Sequence, residues 1–172
     1  SAEGVVWTYD RDGAAYWNDG AWHAFEPAEM HLKRMGGLIA DAATLMIGCG
    51  RDAQDRFALS FFDGATWKST PFADLDGWGM IDGRGDGRGG LVLLLRKDGA
   101  YRVRVQRPGS IVSYDAPGDA SISPQSLYVD RHGTVRLYGD DGLHTRRGST
   151  WHVEALPGRA IGHVVESGER LW

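Results

Sequence analysis

A repeat with a period of about 43 residues constrains this 172-residue chain more than any other feature. Three Asp-Gly pairs sit in matching contexts: Asp12-Gly13, Asp98-Gly99 and Asp141-Gly142. Gly99 and Gly142 are 43 residues apart, and Gly13 and Gly99 are 86 apart, twice that interval. The copy missing between them falls near position 56, where the turn-like run Arg51-Asp52-Ala53-Gln54-Asp55-Arg56 stands. A second marker follows each turn. It reads Gly20-Ala21-Trp22, Gly64-Ala65-Thr66-Trp67 and Gly148-Ser149-Thr150-Trp151; in the third copy it is Pro108-Gly109-Ser110-Ile111, with Ile for Trp. Four units of about 40–45 residues match the period of propeller blades, each too small to bury both faces without neighbours.

Within a unit the pattern is short strands separated by turns. In the fourth, Ser126–Asp130, Thr134–Tyr138, Leu143–Arg146 and Trp151–Ala155 read as strands, joined by Arg131-His132-Gly133 and by a hairpin at Asp140-Asp141-Gly142. In the third, Leu91–Arg96 and Tyr101–Gln106 flank Lys97-Asp98-Gly99. The continuous apolar run Leu91–Leu95 suits an inner strand buried on both faces. The one helix-like stretch, Ala28–Arg34, is short enough to be a loop turn. The expected fold is therefore all-β: a β-propeller, or a propeller segment, of four blades of antiparallel strands. The blades run roughly over 4–37, 38–78, 79–120 and 121–160, and 161–172 is a closing or next-blade strand. Twenty-five Gly and seven Trp fit many tight turns between short strands.

The ends carry further information. Residues 161–172 read as the first strand of another blade and the start of its second. Residues 4–10 read as a second strand with no first strand before it, so the C-terminal strand could close the ring. Yet Arg170-Leu171-Trp172 and Val5-Val6-Trp7 match the same place in the repeat and cannot fill one slot. The expectation is self-association, two copies building one eight-bladed ring as a homodimer, or a natural chain that continues past Trp172. Starting at Ser1 without Met, the chain reads as a processed or trimmed piece.

The stretch 126–143 resembles the two-component-regulator propeller repeat: a strand ending in Asp130-x-x-Gly133, an apolar strand, then Asp141-Gly142-Leu143. Where that family has Trp-(Ile/Val)-Gly-Thr this chain has Arg136-Leu137-Tyr138-Gly139, whereas Val5–Gly13 and Glu169–Trp172 keep the Trp. The resemblance implies a sensory domain without catalytic residues of its own, in a periplasmic or extracellular setting. Tyr9–Trp22 is similar to repeats of fungal fucose-binding lectins. Ser60–Trp67 is similar to the Asp-box of sialidases, where Asp and Trp lock a hairpin and do no chemistry, although the gap from Ser60 to Asp63 is one residue longer than in the usual box.

The candidate site residues divide by recurrence. Trp22, Trp67 and Trp151 recur at one blade position and are expected to pack between blades, with Gly13, Gly99 and Gly142 as the recurring turn glycines. Trp7, Trp17 and Trp78 do not recur in every unit, which makes them the candidates for stacking on a sugar or anchoring a protein. Trp78, between glycines in Asp76-Gly77-Trp78-Gly79, is the foremost exposed candidate. Asp82 and Asp86, in Asp82-Gly-Arg-Gly-Asp86-Gly-Arg-Gly-Gly90, stand at a spacing that a Ca²⁺ ion could use. Ca²⁺ takes six or more oxygens, however, and this loop offers two side chains beside two Arg, so an elongated blade turn is the stronger reading. Arg84-Gly85-Asp86 is an adhesion tripeptide by letter, a match that arises easily by chance.

The six His form no spaced metal pair. His23 and His152, each directly after a repeated Trp, read as strand residues of the opposite face. Cys49 reads as a small buried apolar residue. No Gly-x-Ser-x-Gly elbow and no Gly-Lys-Ser/Thr phosphate loop occurs, and no cofactor is expected. A net charge of −4 argues against nucleic acid. No apolar run approaches the ~20 residues of a membrane span. The function expected is non-enzymatic recognition, a propeller scaffold for sensing or protein–protein interaction. A carbohydrate-binding lectin is the alternative, and a glycosidase- or sialidase-like enzyme comes third. The expected partner is a protein or a glycan.

Overall fold

A computed structural model describes residues 6–40, 46–86, 88–117, 124–130, 132–139, 142–155, 166–167 and 170–171. Among them regular structure is almost wholly strand, with a single short 3-10 turn at Ala73–Leu75. Of the helix-like stretch Ala28–Arg34, residues 28–31 lie in a turn held by the Met30 N–H donating to the Glu26 carbonyl at 3.3 Å, and Arg34 already opens a strand.

The strands form antiparallel sheets in simple consecutive order. The first sheet has three: β1 (Val6–Asp10), β2 (Gly13–Asn18) and β3 (Ala21–Phe25). The second has β4 (Arg34–Ala40), β5 (Met46–Arg51), β6 (Phe57–Phe62) and β7 (Trp67–Pro71). The third has β8 (Gly79–Gly85), β9 (Leu91–Lys97), β10 (Ala100–Arg107) and β11 (Ser110–Asp115). The fourth has β12 (Pro124–Val129), β13 (Val135–Gly139), β14 (Gly142–Arg147) and β15 (Thr150–Ala155). A last pair, β16 (Glu166–Ser167) and β17 (Arg170–Leu171), makes a hairpin of its own. The chain divides into two compact units, Ser1–Met80 and Ile81–Trp172. The described strands of the first sheet are β1, β2 and β3. Residues 4–5, 140–141, 161–165 and 172, on which parts of the end and turn readings rested, lie outside the described residues.

Alternation explains the cores. In β9, Leu91 to Leu95 are all buried, at 4% exposure or less, as expected of a strand covered on both faces. In the first unit, Ala14, Met30, Leu32, Met35, Met46, Phe62 and Trp67 close one apolar cluster. In the second, Val92, Leu94, Val103, Leu127, Val135 and Leu137 close another.

The three Asp-Gly pairs, read as one recurring turn, are of two kinds. Lys97 pairs with Ala100, so Asp98 and Gly99 are the two turn residues, at φ 48° and 84°. That is the two-residue hairpin in which both central residues take positive φ. By contrast Asp10 pairs with Gly13 and Gly139 with Gly142. These glycines open a strand, at φ 148° and 138°. Gly13 is required for a further reason: a Cβ there would run into the carbonyl oxygen of Phe25. Gly13→Ala is expected to lower stability by about 1–3 kcal/mol through this forced backbone conformation, read as a reduced urea midpoint; an unchanged midpoint would show that the β2–β3 edge relaxes freely.

Candidate functional site

The hairpin tryptophans define two faces of each sheet, a front that carries them and a back. In the first unit the front of the second sheet meets the back of the first. Phe62 and Trp67, cross-strand partners, present the front. Against them stand Trp7 at 5.7 and 6.2 Å between ring centroids and Phe25 at 5.2 and 5.5 Å, with Tyr16 at 6.0 Å from Phe62. Trp7, Tyr16 and His23 stack in one row across β1, β2 and β3, because each is the register partner of the next.

The second unit repeats the arrangement. Trp151 on the front of the fourth sheet sits 6.0 Å from Tyr114 of the third. Its indole N–H donates to the Asp115 carbonyl at 3.1 Å. Arg146, the register partner of Trp151, lies 3.7 Å over the Tyr114 ring.

The first sheet breaks this rule. Its front row is Val6, Trp17 and Trp22, joined by the pairs Val6–Trp17 and Trp17–Trp22. The two indoles meet edge to face at 5.5 Å. They occupy the places of Phe62 and Trp67 in the second sheet, yet Val6 is 56%, Trp17 40% and Trp22 54% exposed. Three large apolar side chains in register on a flat sheet are more than the single exposed residues normal on a protein surface. At the Asp10–Gly13 end of the sheet a shallow groove of about 440 Å³ is lined by Thr8, Ala15 and Ala24 of the front together with Tyr9 and Phe25 of the back, beside the acidic Asp12 and Glu26.

Several site expectations are corrected by these positions. Trp22 was expected to pack between blades like Trp67 and Trp151; it is 54% exposed, and its indole meets Trp17 of its own sheet. Trp78 was the foremost exposed candidate, but it is 8% exposed. The 3-10 turn before it draws its N–H to the Leu75 carbonyl, and its own carbonyl accepts from Arg51 at 2.7 Å. Trp7 is half-buried in the back-face stack, so of the three ligand candidates Trp17 alone stands on an open surface.

Asp82 and Asp86 are likewise spent within the chain. Asp82 accepts from the Gly83 N–H at 2.8 Å, from the Ser126 hydroxyl and from the Leu127 N–H at 3.0 Å. Asp86 accepts from the Arg88 and Gly90 N–H groups at 2.9 and 2.7 Å and from the Arg107 guanidinium at 2.7 Å. Both carboxylates thus accept donors from the chain itself, in the manner of the elongated turn that was the stronger reading of this loop. Among the described residues no group of three or more His, Cys, Asp or Glu could hold a metal ion.

Asp86 belongs instead to a recurring cap that the sequence showed only in part. Asp130 directly follows β12 and accepts from the His132 and Thr134 N–H groups at 2.9 and 2.8 Å, while its other oxygen takes Arg136 at 2.7 Å. Asp52, in the turn after β5, does the same with Gln54, Arg56 and the Arg56 guanidinium. Burial pushes each of these three carboxyls up, but the backbone N–H groups and the Arg partner outweigh it and hold each below the ordinary carboxylate range. Asp63, in the stretch similar to an Asp-box, accepts from the Ala65 and Thr66 N–H groups and from Lys68. The Thr66 N–H first of all holds its carboxyl low. It locks a hairpin. Cys49 is fully buried in β5, and burial pushes its thiol far up, so it offers no nucleophile.

Among solved structures the chain is similar to a gluconolactonase of Xanthomonas campestris described as important in glucose secondary metabolic pathways. The TM-score is 0.57 at 16% sequence identity, covering 90% of this chain and 58% of that one. No family model and no curated protein matches. The likeness shows the fold: the four antiparallel sheets are a propeller-like segment that matches part of the gluconolactonase propeller. The chain spans less than two thirds of that relative's length.

Proposed function

We propose that the chain is a non-enzymatic recognition module, a propeller scaffold for sensing or protein–protein interaction that meets its partner through the front of the first sheet. The observation that carries this reading is the exposed row Val6–Trp17–Trp22. The same row in the second sheet, Phe62–Trp67, is covered by the back of another sheet. A face of that chemistry fits the back of a further blade, as Phe62 and Trp67 fit the back of the first sheet. The occupant is thus another blade, supplied here by a second copy of this chain. The resemblance to a repeat of sensory propellers supports the same class of function.

Sedimentation velocity across a hundredfold concentration range tests it. Wild type is expected to associate, and Trp22→Arg, which puts a charge at the centre of the face, to weaken association by at least about tenfold, as loss of a central aromatic anchor does. A monomer throughout that range, or equal association in the variant, overturns the reading. The groove beside the tryptophans favours one alternative, a lectin. A glycan that shifts the emission of wild type but not of Trp17→Ala would move the assignment there.

A further inference from the structure

We propose that a second site, a cationic cleft at the entry to β4, binds a small organic molecule carrying a carboxylate or phosphate group. The cleft has a volume of about 620 Å³, within the few hundred to ~1,000 Å³ usual for small-molecule sites. Four cations line it: Arg11 from the turn between β1 and β2, Lys33 and Arg34 where β4 begins, and Arg51 where β5 ends. One carboxylate, Asp12, stands among them. Its walls also include Met35 and Phe57, which suit a ligand with a carbon body rather than a bare ion.

The charges are poorly neutralised from within the chain. Arg51 is fixed by two carbonyls, donating to Trp78 at 2.7 Å and to Asp55 at 3.3 Å. Carbonyls orient a guanidinium and leave its charge in place. Lys33 reaches the Asp55 carboxylate at 3.6 Å, with both side chains 58% exposed, a screened pair of little strength. Arg11 and Arg34 make no ion pair with any described residue. Like charges gathered in one concavity focus a positive field and raise the local concentration of anions. Arginine in particular offers parallel donors that match the two oxygens of a carboxylate or phosphate. The site does not rest on the Val6–Trp17–Trp22 row, none of which lines it, although Asp12 borders both the cleft and the groove of the first sheet.

Isothermal titration calorimetry at low salt with glucose 6-phosphate, glucuronate and glucose tests the proposal on the whole chain. At least one of the two acids is expected to bind saturably and glucose not to bind. Raising the salt to about 0.15 M, where screening acts over about 8 Å, is expected to weaken the interaction. Arg34→Ala and Arg11→Ala are each expected to weaken it about tenfold or more, with melting temperatures confirming that both variants fold. Phosphate alone, carboxylate alone or both binding each supports the site and names its chemistry. No saturable heat from either acid up to about 10 mM, glucose binding as well as the acids, or affinity unchanged in both variants overturns it.

Discussion

Leu137→Ala is expected to destabilise the second unit by about 2–5 kcal/mol, the range for emptying a buried leucine site. Leu137 is fully buried on the front of β13. It lies in the cluster formed with Val92, Leu94 and Val103 of the third sheet and Leu127 and Val135 of the fourth. Both sheets present strands in register at this layer, so neither can shift to fill the space without losing ladder hydrogen bonds. Urea unfolding followed by far-UV circular dichroism measures the loss as a lower midpoint. Leu137→Met, which keeps most of the volume, should cost much less. A Leu137→Ala midpoint equal to wild type would mean that the two sheets are not packed face to face.

Asp130→Ala is expected to cost about 3–5 kcal/mol, the range for removing one partner of a buried ion pair. The carboxylate satisfies two backbone N–H groups and Arg136, whose side chain is only 18% exposed. Without it the guanidinium keeps its charge and loses its partner. Asp130→Asn retains an oxygen for the turn but not the charge, and should fall between the two. The same carboxylate sets an acid limit. Its pKa is held low in the folded chain, as are those of Asp52 and Asp86. The unfolded chain therefore takes up protons first. The stabilisation is fully present above the ordinary carboxylate value of about 3.9, and fades as pH falls through the lower folded values. Stability measured by urea should drop between about pH 4 and pH 2 in wild type, and less steeply in Asp130→Ala. Parallel profiles would place the acid sensitivity elsewhere.

The repeat made the architecture legible. A marker Trp every forty-odd residues, with Gly before it, fixes where the outer hairpins of the first, second and fourth sheets turn, and the apolar run Leu91–Leu95 identifies an inner strand. Burial was less legible because it depends on what stands opposite. Trp22 and Trp67 share one local sequence context and one register position. The back of the first sheet covers Trp67, whereas Trp22 stands 54% exposed. Trp78 misled for the opposite reason: flanking glycines suggested a free loop, while Leu75 and Arg51 draw its backbone inward. Gly13 and Gly99 share the letters Asp-Gly but differ by one residue in pairing, which no single-sequence pattern resolves. The Asp caps left a trace at two of the three places, Asp86-x-x-Gly89 and Asp130-x-x-Gly133. Their Arg partners come four, six and twenty-one residues later, a spacing without a local signature. The cationic cleft left none, since Arg11, Arg34 and Arg51 meet only after the first two sheets assemble.

The most direct test of the recognition reading asks whether the front of the first sheet is covered when chains meet. Thr8 is exposed on that face, beside the Val6–Trp17–Trp22 row, and the native Cys49 is buried and unreactive. In a Thr8→Cys variant the labelling rate with a maleimide reports the accessibility of this face with the tryptophans intact. The rate is predicted to fall as protein concentration rises, and to stay constant when Trp22→Arg is added. A rate that does not depend on concentration in Thr8→Cys alone would contradict docking of a second copy at this face.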